Sequence, residues 1–239
     1  MQDMLYAAAM VEPIAQYCGR FDTSWSGEIL NSASNVSFVI AAALGLVMWC
    51  AGARRELAVL GLILATLGIG VGSFVFHSHP TASTRIVDLV SIHVFAFGVI
   101  GFAARRWLGM SWPVTLATIA SFAAVGRGWE HLVGSALHGA ATHALSIATL
   151  AAIGAWLVRD PLSHGIGRRL LSAAGWYVAA LAARAMDVPM CETLPIGVHW
   201  IWHLLLGATV GHVLAAACET SAARYAPDRA AGIAPTATA

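Results

Sequence analysis

Lysine is absent from this 239-residue chain, in which all 13 basic residues are arginines. Without a lysine amine there is no Schiff base, so photoreceptors that hold retinal through a lysine are excluded. Charged residues make up only 10% of the chain, against about 25% in soluble domains. With 59% hydrophobic residues and a mean hydropathy of +0.74, the composition indicates an integral membrane protein. No long basic run points to a nucleic acid partner.

Cysteine is also scarce, and its spacing excludes two kinds of site. Cys18, Cys50, Cys191 and Cys218 form no C-x-x-C motif, so neither a cysteine zinc site nor a thioredoxin-like motif is predicted. Cys18 and Cys191 fall on the same side of the membrane in the topology described below. A disulfide between them is therefore one interpretation, and four small buried apolar residues is the other.

Seven apolar segments approach the length of about 20 residues that a membrane-spanning helix needs. They lie at residues 32–50, 58–77, 86–104, 110–126, 140–158, 170–186 and 197–217. The short connections predict an all-α fold, a seven-transmembrane helix bundle that forms a single domain over residues 1–219. Residues 220–239, which are rich in Ala, Pro and Thr, are predicted to form a disordered tail.

The placement of the arginines predicts the orientation of the bundle. Nine fall in the 1–2, 3–4 and 5–6 connections and the tail: Arg54, Arg55, Arg105, Arg106, Arg159, Arg168, Arg169, Arg224 and Arg229. Four lie on the opposite side: Arg20, Arg85, Arg127 and Arg184. Because arginine is enriched in cytoplasmic loops, we expect the N-terminus outside and the C-terminus in the cytoplasm.

Three histidines and an aspartate are predicted to meet at the outer end of the bundle. His77 ends the second segment, Asp88 begins the third, and His199 and His203 begin the seventh. The spacing of four residues places His199 and His203 on one face of their helix. Ionisable side chains inside a membrane are costly and rare, so this cluster predicts a functional site.

The chemistry of this cluster suits a catalytic zinc ion, which takes three protein ligands and leaves one position for water. His77, His199 and His203 are the predicted ligands, and the metal lowers the pKa of the bound water to about 7. Ser73 lies on the same helix face as His77 and is predicted to hydrogen-bond a substrate oxygen or an oxyanion. Asp88 is predicted to accept a proton from the zinc-bound water or to orient it, as amide or ester hydrolysis requires.

Other interpretations of the histidines stay open at this point. A histidine in a spanning helix can have the sole role of forming hydrogen bonds between helices. An H-x-x-x-H pair is also compatible with haem binding or with a proton path. Three hypotheses follow: a zinc-dependent lipid amidase, a membrane receptor or binding protein with a structural zinc, and a b-type haem protein.

Four motifs together resemble those of the alkaline ceramidases. They are residues 28–35 at the start of the first helix, residues 72–77 at the end of the second, Asp88, and residues 199–203 at the start of the seventh. The similarity extends to about residue 218 and is greatest to the bacterial ceramidase-like branch. The adiponectin and progestin receptors form a more distant part of the same superfamily.

This resemblance implies a particular enzyme. It implies a seven-helix fold with one zinc ion held by His77, His199 and His203, and Ser73 and Asp88 as the other active-site residues. The implied reaction is hydrolysis of the amide bond of ceramide or a related N-acyl lipid. We therefore expect a multi-pass protein of a bacterial inner membrane, with its zinc site near the outer face.

The resemblance is weakest at a calcium site that eukaryotic members of the family form from an acidic N-terminal segment. Here residues 16–22 keep the cysteine of that segment but lose most of its oxygen ligands. Glu28 matches the family's glutamate at the start of the first helix, and Asp22 is a substitute for one lost ligand. Calcium prefers six to eight oxygens, so we expect at most a weak calcium site at Glu28 and Asp22. Without calcium, Glu28 is predicted to cap the first helix or to pair with an arginine.

Overall fold

The computed structural model describes residues 17–19, 28–133 and 141–223, and within these ranges the regular structure is helical. The helices are α1 (Ile29–Ala51), α2 (Leu57–Ser78), α3 (Ala82–Phe102), α4 (Trp112–Val133), α5 (Ala141–Leu157), α6 (His164–Asp187) and α7 (His199–Ala223). A π-helical turn (Ala103–Trp107) extends α3, and a 3-10 turn (Val188–Met190) follows α6. Each predicted segment coincides with one of these seven helices, so the all-α prediction is confirmed.

Four of the helices, α1, α2, α3 and α7, are long and apolar enough to cross a membrane. Helix α5 is apolar but has only 17 residues, and α6 is interrupted by arginines and ends at an aspartate. Membrane crossing is thus supported for four of the seven predicted spans in the described part of the chain. Helix α7 continues to Ala223, beyond the predicted domain boundary, and the rest of the predicted tail lies outside the described residues.

The helices form a ring in which α1 closes the circle between α2 and α7. Helix α2 also contacts α7 directly, so the end of α2 and the start of α7 come together at one end of the bundle. Apolar side chains such as Leu44, Val47 and Leu57 point outward and are exposed, as expected for a surface covered by lipid. Helix α7 is the most buried of the four candidate spans.

Close packing of α1 against α7 depends on Gly207. A Cβ atom at this position would lie 2.5 Å from the hydroxyl oxygen of Ser37 on α1. The same hydroxyl donates a hydrogen bond of 2.8 Å to the backbone carbonyl of His203. The missing side chain at Gly207 therefore allows α1 to approach the helix turn that carries His203.

Helix α1 is broken at Asn35, between the helical stretches Ile29–Ser34 and Val36–Ala51. The Asn35 side-chain amide and the Ser34 hydroxyl both donate to the carbonyl of Asn31, at 2.8 and 2.9 Å. Such side-chain hydrogen bonds compete with the regular backbone ladder of a helix. The first turns of α1 are consequently distinct from the rest of the helix, and they carry the residues that contact the histidines.

Candidate metal centre

The three predicted zinc ligands come together in the structure. His77 lies in the last turn of α2, and His199 and His203 lie in the first two turns of α7. The three side chains are buried, and their candidate ligand atoms all lie within 4.8 Å of one another. This is the one group of its kind among the residues that the structure describes. Direct contact between α2 and α7 is what unites residues more than 100 positions apart in the chain.

Two of the histidines are oriented by residues of the first turns of α1. The Glu28 carboxylate lies 2.5 Å from Nδ1 of His77, and the Ser34 hydroxyl lies 2.8 Å from Nδ1 of His203. Histidine ligands of metals commonly use their second ring nitrogen in this way, which fixes the ring and its tautomer. With Nδ1 engaged in this way, Nε2 is the ring nitrogen that each of the two histidines would offer to a metal ion.

The third histidine, His199, is held by stacking. The ring of Tyr17 lies parallel to it, with 3.8 Å between the ring centroids. The buried Nδ1 of His199 has no hydrogen-bond partner among the described residues. Three clustered imidazoles, one of them with an orphaned nitrogen, form a donor set that fits a zinc ion.

The N-terminus of α7 is anchored by Asp187, a buried residue at the end of α6. Its Oδ1 accepts hydrogen bonds from the backbone amides of Val198 and His199 at 2.8 and 2.9 Å. Its Oδ2 accepts from the amide of Cys18 at 3.0 Å. A carboxylate at a helix N-terminus satisfies amides that have no partner within the helix, and it is favoured by the helix dipole. Asp187 therefore ties α6, α7 and the Cys18 segment together beside the histidines.

A disulfide between Cys18 and Cys191 closes the same region, so the first of the two interpretations of the cysteines is confirmed for this pair. Cys50 is exposed and Cys218 is half-buried, and both are free thiols. Gly197, with φ of +66°, packs directly against this bridge: a Cβ atom there would lie 2.4 Å from the Cys18 Cβ. Glycine is thus required at Gly197 both for its backbone conformation and for the close approach.

Ser73 and Asp88 lie beside the histidine cluster. Ser73 lies one turn before His77 on α2, and Asp88 lies in the second turn of α3. The Asp88 carboxylate interacts electrostatically with His77, with Arg184 and with the hydroxyl of Ser73, and its Oδ1 is buried without a hydrogen-bond partner in the described structure. The approach of Ser73 to this carboxylate is a feature that helix periodicity alone does not predict.

A cavity of about 770 Å³ opens next to this group. Asp88, which interacts with His77, and Tyr17, which stacks on His199, both line this cavity. A smaller, mainly apolar cavity of about 70 Å³ is lined by residues further along the bundle, and it shares Ile92, Phe122 and Tyr177 with the first. The histidine cluster therefore adjoins a polar cavity that borders an apolar one.

The Ceramidase family model matches residues 21–230 of the chain, which include all the residues described above except those at 17–19. The chain belongs to the ceramidase family. No curated protein matches the chain at a significant level. Membership in the ceramidase family implies a hydrolase that acts on amide bonds and takes a lipid as its substrate, and it confirms the resemblance found in the sequence.

The calcium prediction is not tested by these findings. Asp22 lies outside the described residues. Glu28 occupies the position before the first turn of α1 but makes no capping hydrogen bond, so the cap that we predict from the sequence is wrong. One oxygen of its carboxylate contacts both His77 and the side-chain amide of Asn31, which assigns Glu28 to the histidine cluster.

The sequence analysis does not identify several residues of the site as functional. Asp187, Ser34 and Tyr17 all contact the histidines or their helix, yet the sequence analysis assigns none of them a role, even though Ser34 falls within the motif at residues 28–35. Asp187 carried the only available signal, because a carboxylate at the end of an apolar helix needs a partner. The contacts of Ser34 and Tyr17 depend on where α1 and the Cys18 segment pack.

Proposed function

We propose that this member of the ceramidase family is a zinc-dependent membrane amidase that cleaves the amide bond of ceramide or a related N-acyl lipid. One observation carries the proposal: three buried histidines converge beside Asp88 at the polar end of a cavity with an apolar interior. His77, His199 and His203 would hold the metal. A zinc ion in such a site lowers the pKa of water and polarises a carbonyl oxygen.

Asp88 is the residue to which we assign proton transfer. Amide hydrolysis requires that a proton be taken from the attacking water and returned to the departing nitrogen. Oδ1 of Asp88 has no hydrogen-bond partner in the described structure and Asp88 lines the cavity, so it is available to a proton. We propose that the Ser73 hydroxyl, which interacts with this carboxylate, helps to orient it beside the histidines.

The orientation of Ser73 also suits a second role. Its hydroxyl is one helix turn from His77 and supplies a neutral donor where the carbonyl oxygen of the substrate gains negative charge. Donors placed at such an oxygen stabilise the transition state more than the ground state. We propose that the Ser73 hydroxyl alternates between two partners during the reaction, the Asp88 carboxylate and the substrate oxygen.

The cavity supports a lipid rather than a small polar substrate. Its deeper extension is lined by Ile69, Phe95, Val99 and other apolar residues, which suits an acyl chain. We propose that all seven helices cross the membrane, with the shorter α5 and the charged α6 shielded by their neighbours in the ring. The metal centre then lies at the outer end of the bundle.

The decisive experiment combines metal content with turnover. Purified protein should carry about one zinc per chain and should hydrolyse a long-chain amide, with activity lost on chelation and restored by zinc. His203→Ala should lose both zinc and activity, because two ligands hold zinc poorly. His212→Ala, which changes another histidine of α7 nine residues further along, is the matched control and should keep both.

Two outcomes contradict this proposal in different ways. Stoichiometric zinc without hydrolysis of any N-acyl lipid would favour a receptor or binding protein in which the zinc is structural. Strong visible absorption from the purified protein would favour haem, since zinc is colourless. Full zinc occupancy in the alanine variants of all three histidines would overturn the metal site itself.

A further inference from the structure

The cavity beside the histidines is lined by more positive charge than a neutral lipid needs. Arg85, Arg127 and Arg184 all line it. These are three of the four arginines that lie against the positive-inside trend of the sequence, which makes their convergence on one cavity informative. Hydrolysis of ceramide, whose head group carries only hydroxyls, gives no reason for this charge.

The two carboxylates of the cavity already have other partners. Asp88 interacts electrostatically with His77, Arg184 and Ser73, and Glu130 accepts from the amide and the hydroxyl of Thr142, both at 3.3 Å. In the described residues, neither forms an ion pair with Arg184 within 4.0 Å. The positive charge at Arg184 is therefore not neutralised by a direct contact with another side chain of the described structure.

Arg184 is held in place and left with an unused donor. Its guanidinium lies over the rings of Tyr17 and Trp202, 5.7 and 5.6 Å from the ring centroids, and Nη1 donates to the Tyr17 hydroxyl at 3.3 Å. Its Nε is buried and has no hydrogen-bond partner among the described residues. An arginine that is positioned by stacking and lines a cavity suits a carboxylate, which a guanidinium commonly binds through two parallel hydrogen bonds.

The position of Arg184 limits which anion can reach it. The ring of Tyr17 stacks on His199 and also contacts the guanidinium of Arg184. The arginine is therefore linked to the histidine cluster through a single aromatic ring. An anion bound there must sit only a few bonds from the amide that is cleaved. The α-carboxylate of an N-acyl amino acid meets this condition, whereas the phosphate of a larger head group lies further from its amide.

We infer that the natural substrate is an N-acyl amide lipid whose head group bears a carboxylate next to the amide nitrogen, and that Arg184 binds this carboxylate. The inference rests on the proposed amidase function and names the substrate class of the same site. Water adds to the amide carbon, the carbon–nitrogen bond breaks, and the nitrogen takes up a proton to leave as an amino acid. The acyl chain leaves as a fatty acid.

A matched pair of substrates tests this inference: N-lauroylglycine and N-lauroylethanolamine, which share the acyl chain and amide and differ in a carboxylate against a hydroxymethyl group. The zinc-loaded protein should prefer the glycine lipid by about ten-fold or more in kcat/KM, since hydrogen bonds between charged groups are the stronger ones. Arg184→Gln should remove this preference mainly by raising KM for the glycine lipid. Any loss of hydrolysis of the ethanolamine lipid should be smaller than the loss for the glycine lipid.

Controls separate binding from folding. Arg184→Lys should retain part of the preference, because it keeps the charge but loses the paired hydrogen bonds. Arg169→Gln changes an arginine at the other end of α6 that pairs with Glu219, and it should keep the full preference. Zinc content of each variant reports whether the histidine cluster is intact.

Binding of the dodecanesulfonamides of glycine and ethanolamine, which are not hydrolysed, gives a readout that does not need turnover. Tighter binding of the glycine compound that is lost in Arg184→Gln would support the inference, whether or not the protein cleaves either amide. Failure to cleave either amide would contradict only the amidase proposal. Equal or weaker binding of the glycine compound overturns the inference. The inference is also wrong if the protein cleaves the ethanolamine lipid or ceramide with the same or a higher kcat/KM than the glycine lipid. That result would still agree with the amidase proposal.

Discussion

We propose that the side chains around the histidines fall into two groups, those that orient the metal ligands and those that move protons. Asp88 and Ser73 are assigned to the second group, because Asp88 lines the cavity and interacts with Ser73, and neither is a predicted ligand. Glu28 and Ser34 are assigned to the first group, since they contact Nδ1 of His77 and of His203. Substitutions in the two groups should therefore have separable effects on zinc content and on turnover.

Asp88→Asn should keep zinc and lose most turnover, by about 10²–10⁴-fold, because a positioned acid or base contributes that much to the rate. Ser73→Ala should also keep zinc, with a smaller loss of at most about 10²–10³-fold, the value for one oxyanion donor. Metal analysis and hydrolysis of a long-chain amide measure the two effects. Asp160→Asn, in the exposed connection between α5 and α6, is the matched control. Near-normal turnover of Asp88→Asn would show that another group carries the proton.

At the scale of elements, the histidine cluster depends on how the N-terminus of α7 is held. Asp187 receives three backbone hydrogen bonds there, the disulfide joins the flanking segments, and Gly197 permits the tight turn between them. These contacts come from α6 and from the Cys18 segment, not from α7 itself. The position of His199 is thus set by elements that contribute no ligand.

Asp187→Ala should lower the melting temperature and make zinc easier to remove, since hydrogen bonds to a charged group contribute about 1.5–3 kcal/mol each. Asp187→Asn, which keeps one acceptor oxygen, should have a smaller effect in both measurements. Thermal unfolding and the chelator concentration that removes half of the zinc provide the comparison. If the alanine variant matches the wild type in both, the anchoring role assigned to Asp187 is wrong.

Across the whole molecule, two independent features support the proposal that the histidine cluster lies at the outer side of the membrane. The arginine distribution favours the opposite end as cytoplasmic. The disulfide between Cys18 and Cys191 lies at the end that carries the histidines, and disulfides form and persist outside the reducing cytoplasm. The free thiol of Cys50, at the other end of α1, is consistent with the same orientation.

In intact cells, Cys50 should react with a membrane-permeant thiol reagent and not with an impermeant one, and both reagents should react after lysis. A reporter fused after residue 220 should read as cytoplasmic, and one at the N-terminus as external. Cys50→Ser identifies the labelled residue. Labelling of Cys50 by the impermeant reagent in intact cells would reverse the orientation and change which leaflet supplies the substrate.

The amino-acid sequence by itself determined the helical class and which three histidines form the buried cluster. Long apolar runs specify helices, because a backbone without water must satisfy its own hydrogen bonds, and so all seven segments were predictable. The spacing of His199 and His203 is a local property of one helix. His77 and Asp88 could be predicted to lie near this pair because successive helices of a bundle run in opposite directions. The end of α2 and the starts of α3 and α7 therefore lie on the same side of the bundle.

Tertiary structure alone decided which residues surround those histidines. Glu28 contacts His77 instead of capping its own helix because α1 packs between α2 and α7. Asp187 and Arg184 have no sequence motif, and their partners lie on other elements of the chain. Helix periodicity specifies the face on which a side chain lies. The neighbour that the face meets depends on packing between segments far apart in the sequence.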